Sequence, residues 1–265
     1  MLSPKEIAYE CIKIGTKKGK MNTLNKILLG ILAGMFIGFG AQGSMTVMQT
    51  MGSIDVGLMK FFGAFVFPVG LMLVIIAGGE LFTGNSLMTL AFMDKKISLM
   101  ELLSNWILVY FGNFLGSIFL ALLVFKSGLA QGDVGALAMS IAKGKLELDF
   151  STAIIRGFLC NILVVLAVWM SFGAKDIISK IFSIWFPIML FVLLGFEHSV
   201  ANMYYLPLGM FLGANISWGD MWVKNLLPVT LGNILGGAVF ISFIYYIVYI
   251  LPDYKKQNVQ LYKNK

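Results

Sequence analysis

Three ionisable side chains sit deep inside long apolar runs: Glu80, Glu197 and His198, the last being the one histidine of the chain. Charge inside the hydrocarbon layer is costly and is kept for a solute path, a proton relay or a structural pair. The two glutamates occupy the same frame. Gly78-Gly79-Glu80-Leu81-Phe82-Thr83-Gly84-Asn85 and Gly195-Phe196-Glu197-His198-Ser199-Val200-Ala201-Asn202 both read G-x-E-x-x-x-x-N. A carboxylate beside irregular backbone can accept its N–H groups and hold it in shape, so Glu80, Glu197, Asn85 and Asn202 read as a loop framework.

His198 breaks that symmetry, because the matching position in the first half is Leu81. An imidazole donates, accepts and exchanges a proton near neutral pH, which suits it to meet a passing solute. Thr83 supplies a hydroxyl from the opposite half, although a hydroxyl on a membrane helix also bonds its own backbone. Asn161 and Asn233 join the candidate pathway, where they read first as interhelical hydrogen-bond partners and second as solute contacts. A bare anion at mid-membrane carries a desolvation penalty of several kcal/mol, so a path for one must offer donors or a proton. Half-helix N-termini would add partial positive charge. Basic residues at the mouths, with no buried carboxylate ring, favour small monovalent anions or their acids over cations.

With one histidine and two cysteines, Cys11 in the polar leader and Cys160 in an apolar run, there is little material for a metal cluster, a disulfide framework or a nucleophilic triad. No enzyme activity, metal or cofactor is expected.

Long apolar elements must position these groups. Hydrophobic residues make up 58% of the chain and charged residues 12%, against roughly half and a quarter in a soluble domain. Six spans are predicted, over approximately 27–52, 60–92, 102–126, 151–173, 182–212 and 223–251, and the second and fifth exceed the ~20 residues that a straight crossing needs. The first 26 residues are polar and basic, and the apolar run after them is too long for a signal-peptide core. Six spans put both termini on one side. That side carries 14 of the 20 Lys and Arg residues, which predicts a multi-pass inner-membrane protein with cytoplasmic termini. The net charge of +7 reads as topogenic charge against anionic lipid, not as nucleic-acid binding.

The two halves repeat. Phe67-Pro68 precedes the first motif and Phe186-Pro187 the second, while Gly112-Asn113-Phe114-Leu115-Gly116 follows in the third span and Gly232-Asn233-Ile234-Leu235-Gly236 in the sixth. Each half holds three spans, so the second enters the membrane from the opposite side and the halves form an inverted repeat. Proline and glycine predict that both long spans split into half-helices with irregular backbone between. One domain is expected over 1–265. In the leader, over 1–26, Ile7, Cys11 and Ile14 form the apolar stripe of a helix lying on the cytoplasmic membrane surface. The stretch 127–150 is expected as a surface loop with a short helix, and 252–265 as a cytoplasmic tail.

The string Gly195-Phe196-Glu197-His198-Ser199-Val200-Ala201-Asn202-Met203, together with Leu81-Phe82-Thr83, resembles the formate/nitrite transporter family. The resemblance runs from the basic leader through the sixth span. It implies an all-α, aquaporin-like membrane protein of six helices, built from three plus three, with broken second and fifth helices and assembled as a homopentamer with one pore in each protomer. It implies that His198 is the central pore histidine faced by Thr83. Leu71, Phe82 and Val164 would form one apolar constriction, and Phe67 and Phe191 the other. Lys145 and Lys18 would be vestibule lysines. The implied mechanism is proton-linked passage of formate, nitrite or hydrosulfide through dry slits past the histidine. An aquaporin-like channel for neutral solutes and a proton-driven antiporter with the glutamates as relay are the competing readings; no Asn-Pro-Ala pair supports the former.

Overall fold

A computed structural model describes residues 1–254, so most of the tail expected over 252–265 lies outside the described residues. All regular elements among the described residues are helices, with no strand. A leader helix, α1 (Pro4–Gly19), precedes α2 (Thr23–Met48). The second crossing is α3 (Val56–Gly78), a break, a 3-10 turn (Gly84–Leu87) and α4 (Met88–Met93). Then come α5 (Leu99–Lys126), α6 (Gly132–Leu146) and α7 (Phe150–Gly173). The fifth crossing is α8 (Ile177–Leu193), a second break and α9 (Ser199–Phe211), and α10 (Trp218–Tyr254) closes the bundle. Five of these segments are long and apolar enough to cross a membrane, and the shorter apolar α8 joins them.

Polar residues at the apolar boundaries start the helices. The side chains of Asn22, Asp55, Ser98, Asp149, Asp176 and Ser217 each accept the N–H three residues on, a cap that contributes about 1 kcal/mol. Inside the bundle the Gly-Asn-x-x-Gly motifs act through size. A Cβ on Gly116 would overlap Ile31 O on α2, and one on Gly236 would overlap Phe158 O on α7. The two helix pairs therefore pack backbone to backbone, as small residues permit in membranes.

The breaks fall where the long spans predict them, but the prolines do not make them. Pro68 and Pro187 sit inside the helical runs, and the helix continues for nearly three more turns after the first and nearly two after the second. What ends it is a glycine in the left-handed region, Gly78 at φ +99° and Gly195 at φ +70°, a conformation that costs a side-chain-bearing residue roughly 1–2 kcal/mol. Proline thus loosens the span and glycine turns the chain out of it.

Two peripheral expectations change. α1 is packed on protein: Ile7, Ala8, Cys11, Ile12 and Gly15 are buried, while Ile14 is half-exposed. It is tied down by Leu2 N–H to Gly173 O (3.2 Å), Lys5 to Asp253 (2.7 Å) and the Tyr9 hydroxyl to Asp253 (2.6 Å). The bond to Asp253, helped by burial, pushes the Tyr9 phenol up to about 12. The apolar stripe of a short helix looks the same whether lipid or protein covers it. The stretch 127–150 holds α6, fifteen residues long, with Val134, Ala138 and Ala142 buried in the bundle.

Candidate functional site: two helix breaks and the histidine between them

Each break is braced by one asparagine. In the first, Glu80 N–H donates to Leu29 O (3.1 Å) and Phe82 N–H to Asn113 Oδ1 (2.9 Å), while Asn113 Nδ2 donates to Gly30 O and Glu80 O (both 2.8 Å). In the second, Glu197 N–H donates to Arg156 O (3.3 Å) and Ser199 N–H to Asn233 Oδ1 (3.0 Å), while Asn233 Nδ2 donates to Gly157 O (2.8 Å) and Glu197 O (3.0 Å). Asn233 thus spends its amide on backbone, as an interhelical tie does. Backbone polar groups taken out of the helix ladder inside a membrane need such partners.

The carboxylates stand at the centre of matching quartets. Glu80 receives Lys18 Nζ (3.0 Å) and Asn85 Nδ2 (2.7 Å), Asn85 Nδ2 reaches Asn105 Oδ1 (2.8 Å), and Asn105 Nδ2 donates to Lys18 O (3.3 Å). Glu197 receives Lys145 Nζ (3.0 Å) and Asn202 Nδ2 (2.6 Å), Asn202 Nδ2 reaches Asn225 Oδ1 (2.7 Å), and Asn225 Nδ2 donates to Lys145 O (3.0 Å). Lys145 Nζ also lies 5.3 Å from the Tyr205 ring centre. The two lysines expected in the vestibules are the counter-ions of the glutamates, with side chains 21% and 14% exposed. Asn105 and Asn225 escaped the sequence reading. A signal existed, because each stands eight residues ahead of the bracing asparagine, Asn113 or Asn233.

His198 opens α9 as its N-cap. Its Nδ1 accepts Ala201 N–H (3.1 Å) and its Nε2 lies 2.8 Å from Thr83 Oγ1, across from the other half. Since Nδ1 accepts, the neutral ring holds its hydrogen on Nε2 and donates it to the Thr83 oxygen, leaving the hydroxyl hydrogen for a second acceptor. Both residues are buried, at 3% and 0% exposure. Asn161 supports the pair from α7: its Nδ2 donates to Asn233 O (2.6 Å), Ser86 Oγ (3.1 Å) and Thr83 O (3.4 Å).

Beside His198 lies a small chamber walled by Phe67, Leu71, Leu81, Val164, Ile188 and Phe191. The Phe67 and Phe191 rings meet edge to face at 5.6 Å, and Phe191 lies over His198 at 5.8 Å. Leu71 and Leu81 also line a second cavity of about 340 Å³ next to α1, together with Lys18, Glu80, Gly84 and Lys180, so they form the partition between the two spaces. The expected trio of Leu71, Phe82 and Val164 needs one correction. Phe82 turns away from the chamber, its ring against Tyr110 (4.9 Å) and Trp106 (6.1 Å), and Leu81 takes its place. In a chain segment that is neither helix nor strand, no periodicity tells which of two neighbours faces inward.

Crossing helices in two sets of three, with a histidine lining a small apolar chamber where the two breaks meet, form the architecture of a membrane transport protein. A profile of the formate/nitrite transporter family matches residues 5–247. The chain is 42% identical to a probable formate transporter of Methanothermobacter thermautotrophicus, over 94% of this chain and 97% of that one. To the formate channel BtFdhC of Bacillus thuringiensis it is 40% identical, over 93% and 95%. Among solved structures it is similar to a pentameric formate channel with formate bound, at 38% identity and a TM-score of 0.80 over 86% of this chain and 98% of that one. To an FNT family ion channel it is 30% identical, with a TM-score of 0.85 over 91% and 98%. The chain belongs to the formate/nitrite transporter family, a family of transport proteins and not of enzymes.

Proposed function

We propose that this chain conducts small monovalent anions of weak acids, formate first among them, through a pore in each protomer of a homopentamer. The observation that carries the reading is His198, the one polar side chain lining an otherwise apolar chamber, held 2.8 Å from Thr83 Oγ1 of the other half. Relatives described as formate channels support formate as the substrate, and one described as pentameric supports the assembly. Apolar side chains on the outer faces of α5 and α10, such as Phe111, Phe119, Phe240 and Phe243, suit lipid and neighbouring protomers. The excess of Lys and Arg on the terminal side supports cytoplasmic termini.

In this reading Leu71, Leu81 and Val164 strip water on the α1 side of the histidine, and Phe67 with Phe191 on the other. The anion gains donors from His198 Nε2 and Thr83 Oγ1 at the point of greatest desolvation, and sharing a proton there lowers the cost of its charge. Glu80, Asn85, Glu197, Asn202, Asn161 and Asn233 hold the breaks open, and Lys18 and Lys145 serve them as counter-ions at the two mouths.

Stopped-flow uptake of formate, nitrite and hydrosulfide into proteoliposomes at two pH values tests the proposal. Formate uptake well above that of empty liposomes, and faster at the lower outside pH, is expected. Rates equal to those of empty liposomes for all three would refute it, and hydrosulfide outrunning formate would move the substrate assignment.

A further inference from the structure

The cavity beside α1 contains one cation that the framework does not use. Lys18 is matched by Glu80 at 3.0 Å and by Asn85 Oδ1 at 2.7 Å, so the two charges cancel on the wall they share. Lys180 lines the same cavity from the first turns of α8. It is half-buried and forms no ion pair among the described residues. Much of the remaining wall is apolar, including Leu71, Val74 and Phe172. A cleft with low-dielectric walls and one net charge concentrates counter-ions and raises their rate of entry.

The register of α8 connects this charge to the passage. Lys180, Ile184, Ile188 and Phe191 follow at intervals of four, four and three residues, which places them on one helix face. Ile188 and Phe191 line the chamber, so that face runs from the cavity to the histidine. Lys180 stands eleven residues before Phe191, roughly 16 Å along the axis at 1.5 Å per residue. It can act on entry and not on the narrow centre. The repeat does not require it either: counted back from the two Phe-Pro pairs, the matching position in the first half is Phe61.

We propose that Lys180 is the anion-capture residue of the α1-side mouth, an unmatched ammonium that draws a small carboxylate or oxyanion into the cavity before it meets Leu71 and Leu81. This rests on the anion-conducting reading above and adds to it the group that sets capture on one side. The framework lysines are spent on the carboxylates of Glu80 and Glu197; Lys180 supplies field.

The test is formate flux through the full-length chain in proteoliposomes, with formate below saturation, at about 10 mM and about 500 mM ionic strength. Lys180→Gln should lower the low-salt rate about two- to tenfold, Lys180→Glu should lower it further, and Lys180→Arg should keep it. At high salt the rates should converge, and flux at saturating formate should be unchanged. Lys17→Gln, which removes an exposed lysine of α1 outside the cavity, should behave as wild type at both salts. Equal low-salt rates for wild type and Lys180→Gln would overturn the assignment. So would a loss that high salt does not relieve or that Lys180→Arg shares, since that marks a packing role. Wild-type flux no faster than empty liposomes would overturn both this assignment and the anion reading beneath it.

Discussion

At the first helix break Asn113 braces the chain through Phe82 N–H, Gly30 O and Glu80 O, and at the second Asn233 makes the same three bonds to Ser199, Gly157 and Glu197. Each glutamate has its lysine, its near asparagine and its far asparagine. The breaks differ where they meet. At matching positions of the repeat the first carries Leu81 and Thr83 and the second His198 and Val200, so each has one polar and one apolar side chain, in opposite order. Symmetry supplies the scaffold, and the two departures from it supply the polar contact.

Substitutions test whether the two breaks differ only in this way. The largest effect should come from the glutamates, and it should be equal in both halves. Glu80→Gln or Glu197→Gln strands a partly buried lysine, and removing one partner of a buried pair costs about 3–5 kcal/mol. The yield of monodisperse protein in detergent should fall severalfold or more for each. If either variant assembled normally and lost only the pH dependence of flux, that glutamate would be a relay and the scaffold account of it wrong.

Next come the neighbours Leu81 and Phe82. Phe82→Ala empties the contact with Trp106 and Tyr110 and should cost about 3–5 kcal/mol, seen as a lower melting temperature with the order of preference among anions kept. Leu81→Ala opens the partition between cavity and chamber. It should admit larger monocarboxylates such as lactate, measured as uptake relative to formate. If Phe82→Ala widened selectivity instead, the placement of the constriction would revert to Phe82. A smaller effect is expected from Thr83→Val, which puts at position 83 the residue that the repeat holds at 200. It removes one hydroxyl worth about 1 kcal/mol of net hydrogen bonding, so flux should fall roughly five- to tenfold with assembly unchanged.

The sequence made the scaffold legible because inverted repetition leaves the same signals twice, in the same order. Composition and length gave the spans; the long second and fifth ones, with their G-x-E-x-x-x-x-N frames, gave the breaks; the odd span count gave the inversion. His198 stood out through its departure from Leu81. What escaped depends on direction in space. Nothing in the spacing of Lys18 and Glu80, or of Lys145 and Glu197, says that they meet, because residues far apart in sequence are joined by tertiary packing. Asn105 and Asn225 share a place eight residues ahead of Asn113 and Asn233, but nothing in that spacing says which carboxylate they reach. Leu81 and Phe82 could not be told apart in irregular backbone, and the apolar stripe of α1 carried no mark of what covers it.

The histidine, and not the repeated framework, is proposed to make the path selective for the anion of a weak acid. This is tested most directly by formate uptake into proteoliposomes at two pH values for wild type and His198→Phe, with assembly checked by size. His198→Phe should assemble as wild type does while formate uptake falls about a hundredfold and loses its pH dependence, a loss of roughly 3 kcal/mol at the narrowest point. Undiminished, pH-dependent uptake by an assembled His198→Phe would contradict it.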